Sequence, residues 1–369
     1  MLIALNLLYL IPGVVGGTET YARALIHALA EEDKDNEYVV YLSSEAADID
    51  VTPGPNFRRV VCPVIAMQRA LRYTWEQGIL PLQLLKERPA LVHSMGYVSP
   101  LAATCPQVVT VHDVNYIGHK GRRTAIGRRA FQFFVEQAVK RADKVITVSE
   151  FSRSEIISHM HVSPEKVRVV HSAGRESYDE PVETSVSDVA NRIGRPYIMA
   201  FSSLSAHKNI PRLISAFAGI SASVPHALVL VGHLPEKAEA RTAMQSAGDD
   251  RVIFTGYIPD GEVDALMKGA SLFAFPSLYE GFGLPILDAQ HAGVPIACSS
   301  AGALPEIAGE GALLFDPYSV DDMAGALRRC LLDVGLRASL VKRGTGNARK
   351  FSWDTTARET LAVYKAVAS

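Results

Sequence analysis

Cysteine is scarce in this chain. The four residues Cys62, Cys105, Cys298 and Cys330 form no C-x-x-C pair and have no neighbouring histidines. That spacing excludes a zinc ribbon and a disulfide-stapled scaffold, and is expected of reduced thiols in a cytosolic protein. Neither sign of charge is in excess: 37 Lys and Arg against 39 Asp and Glu leave a formal net charge of −2, which argues against bulk nucleic-acid binding. No run of about eighteen apolar residues occurs, so no membrane-spanning helix is expected. The apolar opening, Met1 to Val15, lacks a basic leading segment and is interrupted by Asn6 and Pro12, so it reads as a buried strand rather than a secretion signal. A G-x-G-x-x-G fingerprint is missing too, and with it the case for a nicotinamide cofactor.

What the chain does have is 48% hydrophobic and 21% charged residues over 369 positions, the balance of an ordinary globular protein. That length exceeds one hydrophobic core, so two domains of roughly 150–200 residues are expected. Short apolar runs recur at Leu2–Leu8, Tyr38–Leu42, Leu91–His93, Val108–Val111 and Lys144–Val148, and again at Tyr197–Phe201, Ala227–Val231, Val252–Thr255, Leu272–Phe275 and Pro295–Ala297. Strands without polar alternation are buried on both faces, as in a parallel sheet covered by helices such as the one expected over Glu19–Glu31. The reading is α/β, with two Rossmann-like doubly wound domains over residues 1–175 and 197–350. A polar linker, 176–196, joins them and holds at most a short helix near Val186–Ile193. A last helix, 351–369, begins at a capping Ser352 and is expected to pack back on the N-terminal domain.

The densest chemistry lies at Glu280 to Pro295, E-G-F-G-L-P-I-L-D-A-Q-H-A-G-V-P. Gly281 and Gly283, around Phe282, allow a tight turn that bares backbone N–H groups, and after Leu284 Pro285 suits the first position of a helix. The orphan N–H donors and dipole of that helix favour a phosphate or carboxylate without a metal. Asp288 is expected in the first helical turn, where its carboxylate can accept two hydrogen bonds from a vicinal diol such as a ribose. Glu280, before the turn, faces whatever the loop holds. A bare pair of acids eight positions apart would be ordinary; the glycines and Pro285 make it an anion site.

Other candidates stand where strands end, at the carboxyl edge that binds ligands in open α/β sheets. Lys208 follows Ile198–Phe201 and supplies a positive charge, with Ser203, His207 and Asn209 as hydrogen-bond donors. Gly16 and Gly17 follow the first strand and let backbone approach a ligand. His112 ends Val108–Val111; it either donates to a sugar hydroxyl or phosphate, with Asp113 fixing its tautomer or the loop, or is a buried structural imidazole. Ser149 is expected to cap a helix that gives Glu150 a structural role. Lys120, Arg122, Arg123, Arg128 and Arg129 interleave with Ile126, Phe131, Phe133 and Phe134, which fits a helix lying on an anionic membrane or a solvated helix with its phenylalanines in the core.

From about Leu5 to Tyr364 these motifs resemble, in order, those of retaining glycosyltransferases of family four, enzymes of the GT-B fold that use nucleotide sugars. The resemblance implies two Rossmann-like domains facing across a cleft. It implies that Glu280 approaches the donor sugar, that Gly281, Phe282, Gly283 and Leu284 cradle the diphosphate, and that Asp288, where the family usually has Glu, holds the ribose with a reach one methylene shorter. Lys208 and Asn209 match the family's basic segment, whereas Ser202, Ser203 and His207 depart from it. Gly16 and Gly17 would face the donor phosphates and the acceptor, His112 the sugar, and the backbone at Gly256, Tyr257 and Ile258 the base. The implied reaction moves a hexose with retention, best read as mannose from GDP-mannose, to a glycan or lipid-linked saccharide hydroxyl in polysaccharide or lipopolysaccharide assembly. No metal or other cofactor and no nucleic acid is expected, and the place of action is the cytoplasm or the cytoplasmic face of the inner membrane. A front-face attack, with Glu280 orienting the sugar, is set against a covalent route. Two other classes fit the same fold: a nucleotide-sugar epimerase and a non-catalytic nucleotide-sugar-binding subunit.

Overall fold

A computed structural model describes residues 1–118, 125–175, 193–203, 205–232 and 250–368. Lys120, Arg122, Arg123, residues 176–192 of the linker expected over 176–196, and all but Ile193 of the short helix expected near Val186–Ile193 lie outside the described residues. The chain forms two compact units, Met1–Ser172 with Ser352–Ser369, and Ala173–Phe351.

Among the described residues of the first unit the strands are β1 (Leu2–Leu7), β2 (Glu37–Leu42), β3 (Phe57–Val61), β4 (Leu91–Ser94), β5 (Gln107–Thr110), β6 (Lys144–Thr147) and β7 (Val167–Val169). They pair in the order β3-β2-β1-β4-β5-β6-β7, every neighbour parallel. β1, β4 and β5 are apolar in sequence because both faces are covered, and Ile3, Leu5, Val92 and Val108 are fully buried. The helix Gly17–Glu32 follows β1, and Glu150–Met160 starts where Ser149 Oγ accepts the Ser152 N–H at 3.0 Å.

The C-terminal helix Trp353–Ala368 belongs to this unit and packs along Gly17–Glu32. Ser352 Oγ accepts the Thr355 N–H at 3.2 Å at its start. Farther along, Tyr364 Oη lies 2.6 Å from His93 Nδ1 on β4, and Thr356 Oγ1 donates to His171 O at 2.7 Å. The helix Ala125–Arg141 divides its large apolar residues: Phe131 is buried and Phe134 packs against the same core cluster, while Ile126 and Phe133 stay exposed beside Arg129.

The second unit repeats the pattern with β8 (Tyr197–Ser202), β9 (Ala227–Gly232), β10 (Val252–Gly256), β11 (Leu272–Phe275), β12 (Ile296–Ser299) and β13 (Ala312–Phe315), in the order β10-β9-β8-β11-β12-β13, again all parallel. Successive residues of one strand feed opposite cores. Ile198, Ala200, Leu228 and Leu230 join Phe217, Met323 and Leu327 on one face; Met199, Val229, Phe273 and Ile286 fill the other. The cysteines are free, and burial pushes the Cys62 thiol up to about 11 and that of Cys330 up to about 12, which keeps both protonated.

Neither β3 nor β7 is announced by an apolar run. Both lie at sheet edges, as do β10 and β13. An edge strand needs less cover, so β3 carries exposed Arg58 and Arg59, β7 exposed Arg168, and β13 exposed Leu314.

Candidate active site

In the second unit the chain leaves β8 toward β9 and β10 on one side and β11 toward β12 and β13 on the other, so the loops after β8 and β11 diverge and open a crevice at the carboxyl edge. Lys208 stands in the first loop and Glu280 in the second. Lys208 Nζ lies 2.7 Å from Glu280 Oε1, and the side chains keep 23% and 16% of their surface in water. The ammonium also sits 5.2 Å from the Phe275 ring centroid, at the end of β11. Leu278 N–H donates to His207 O at 2.7 Å, which ties the two loops together beside the ion pair.

Asn209 serves this geometry from inside. It takes a left-handed conformation, φ 58°, at the start of the helix Ile210–Ile220. Its amide donates to Pro276 O at 3.0 Å and Pro317 O at 2.8 Å, and its carbonyl accepts from Arg212 Nη1 at 2.9 Å. With both N–H donors spent, Asn209 is a tie between strand ends and not the ligand donor expected of it. Ser203 Oγ accepts the Ser205 N–H at 3.2 Å within the same loop.

Glu280 is seated by residues the sequence reading passed over. Gly302, φ 65°, lies against its backbone: a Cβ there would come within 2.7 Å of Glu280 O. Ala303 N–H donates to the same oxygen at 3.0 Å. The turn A-G-A-L-P after β12, with Pro305 opening another short helix, was the available signal. Gly232, φ 117°, ends β9 where a Cβ would meet Ser202 O at 2.2 Å, so only glycine fits that approach.

The turn expected at Gly281 to Leu284 is present, and Gly281, Phe282 and Gly283 are buried. Gly283 has a φ of 108° and precedes the helix Leu284–His291. Two expectations change. Pro285 occupies the second helical position, and Asp288 the fifth, beyond the first turn. Asp288 is also buried, and its Oδ1 accepts the Arg175 N–H at 2.9 Å. Burial pushes this carboxyl up to about 6, against the opposing pull of the Arg175 backbone and guanidinium. One oxygen is therefore engaged by the protein, which narrows any bidentate grip on a diol. Arg175 also reaches Asp264 at 3.4 Å. Tyr257 stands 84% exposed after β10, and Ile258 packs against the core.

In the first unit Gly16, φ 58°, precedes the helix that Gly17 begins. His112 follows β5, buried, with Tyr21 edge-on at 4.8 Å. Its Nε2 lies 3.1 Å from Met95 O, so Nε2 carries the proton and Nδ1 is left as an acceptor. Burial pushes its pKa down to about 4. The ring is thus a neutral acceptor where donation was expected. Of the two roles expected of Asp113, the loop contact is seen: its Oδ1 accepts the Asn115 N–H at 3.0 Å. Among the described residues no cluster of three or more His, Cys, Asp or Glu side chains is arranged to hold a metal ion.

Two family models match the chain, "Glycosyltransferase Family 4" over residues 15–173 and "Glycosyl transferases group 1" over residues 183–347. The chain belongs to this glycosyltransferase family. Among its relatives, the MMP alpha-(1->4)-mannosyltransferase of Mycolicibacterium hassiacum is 32% identical over 287 residues, 75% of this chain and 67% of that one. The O-antigen chain mannosyltransferase B of Escherichia coli is 29% identical over 265 residues, 70% of each chain. A sucrose-phosphate synthase from Thermosynechococcus elongatus superposes with a TM-score of 0.80 over 99% of this chain and 98% of its own, at 20% identity, and so shares the fold. This glycosyltransferase is a GT-B protein, and the epimerase and non-catalytic readings gain no support from relatives that are named as transferases. No described helix is long and apolar enough to cross a membrane.

Proposed function

We propose that this glycosyltransferase moves mannose from GDP-mannose, with retention at the anomeric carbon, to a hydroxyl of a glycan or lipid-linked saccharide. The observation that carries the reading is the contact of Lys208 with Glu280 at the second unit's switch point, an ammonium and a carboxylate positioned where a diphosphate and its sugar would lie. Lys208, the N–H groups of the turn before Leu284 and the start of the helix Leu284–His291 would meet the charge that develops on the departing diphosphate. That supply of positive charge makes a metal unnecessary in this reading. The acceptor oxygen attacks from the face the nucleotide leaves; its proton passes to the departing phosphate oxygen, and Glu280 orients the sugar. The exposed Tyr257 ring offers a surface against which a base can stack. The mannose assignment draws on relatives that are themselves named mannosyltransferases. Association with an anionic membrane belongs to the same proposal, through Arg129 and the exposed Ile126 and Phe133.

A screen of nucleotide sugars with product identification tests it. GDP-mannose should be consumed fastest, the product should be the α-anomer, and chelator should leave the rate unchanged. Tighter binding of UDP than of GDP removes the mannose assignment; an inverted product removes retention.

A further inference from the structure

At the first unit's own switch point, β1 and β4 lie side by side with Asn6 paired to Ser94. Asn6 Nδ2 donates to Ser94 Oγ at 3.1 Å and to Glu76 Oε1 at 2.6 Å, so the Glu76 carboxylate is held over that carboxyl edge. Glu76 sits in the π-helical turn Trp75–Ile79, just after Arg72 in the short helix Arg69–Thr74. Such turns are frequent at functional sites. Both charged residues are buried, Arg72 at 8% exposure and Glu76 at 2%.

Their hydrogen bonding is incomplete. Arg72 Nε and Glu76 Oε2 have no partner, and the guanidinium rests 4.7 Å from the ring of its neighbour Tyr73 without reaching any carboxylate among the described residues. Arg72 precedes Glu76 by four positions, about one helical turn, which places it beside the same edge. A buried guanidinium with Nε unpaired and no carboxylate in hydrogen-bonding contact is unfavourable, and its forked donors fit a phosphate.

We infer that Arg72 binds a phosphate group carried by a saccharide ligand of the first unit, beside the Asn6–Glu76 pair. Taking that ligand to be the sugar acceptor rests on the glycosyl-transfer reading; the phosphate site does not.

Calorimetric titration of the full chain tests the site, with GDP present in excess to fill the Lys208 site and mannose 1-phosphate, inorganic phosphate and mannose as probes. Mannose 1-phosphate should bind at one site, mannose without phosphate far more weakly. Loss of charge-assisted hydrogen bonds in Arg72→Gln should weaken mannose 1-phosphate roughly 10- to 100-fold while GDP affinity stays as in the wild type. Arg72→Lys, which keeps the charge, should fall between the two. Vesicles containing phosphatidic acid form a parallel arm: binding to them that depends on Arg72, without binding of mannose 1-phosphate, assigns the phosphate to a lipid headgroup. No probe binding by the GDP-loaded wild type, or binding indifferent to Arg72, overturns the inference. Should Arg72→Gln fail to fold, Arg72→Lys supplies the Arg72 dependence, and absence of probe binding by the wild type still overturns the inference. Absent GDP binding would instead count against the donor reading and leave the Arg72 result to be scored separately.

Discussion

At the switch point of the second unit an ammonium and a carboxylate meet in partial contact with water; at the corresponding point of the first, His93 has no exposed surface and both its nitrogens are committed, Nδ1 to Tyr364 at 2.6 Å and Nε2 to Thr110 Oγ1 at 2.7 Å. The strand order around them is the same. Topology therefore fixes where polar groups gather, and solvation fixes what they do. A half-open ion pair can exchange its partner for a ligand. A sealed imidazole can only hold structure.

The sharpest way to break this contrast is Lys208→Ala. Losing a positioned cation at developing charge should lower kcat/KM about 100- to 1000-fold, with the melting temperature little changed. A variant with full activity, measured by nucleotide release, would remove the chemical half of the comparison.

Acid should separate the units next. Burial holds His93 down to about 3 and His112 to about 4, so between pH 7.5 and 5 the unfolded chain takes up protons that the folded first unit refuses. Each imidazole then removes ~2 kcal/mol of stability. Glu76, raised by burial, gives part of this back. In the second unit Asp288, raised to about 6, gains stability as the pH falls through that value, and the lowered His226 opposes it. The first unit should thus lose roughly 5–10 °C relative to the second. Hydrogen exchange at pH 7.5 and 5, read unit by unit, checks this; equal shifts would erase the difference.

The smallest effect belongs to Tyr364→Phe. It strands His93 Nδ1 in a sealed site at a cost of about 1–3 kcal/mol, which denaturant unfolding should register while GDP affinity stays constant.

Central strands were legible because two-sided burial writes a continuous apolar run, as at β1, β8 and β11. The edges β3 and β7 were not, since one exposed flank admits arginine into the run. The site divides in the same way. Lys208 and Glu280 could be picked out because a strand end followed by glycine or a basic residue is a local pattern. The spent amide of Asn209, the engaged oxygen of Asp288, the seat that Gly302 gives Glu280 and the burial of Arg72 all arise from partners distant along the chain. Local spacing carries no trace of such encounters.

Because Trp353–Ala368 completes the unit begun by β1, the second unit is in effect an insertion between the two parts of the first. During synthesis the usual order is inverted. The inserted unit has its whole sequence outside the ribosome before the first acquires its final helix, so the half made earliest is finished last.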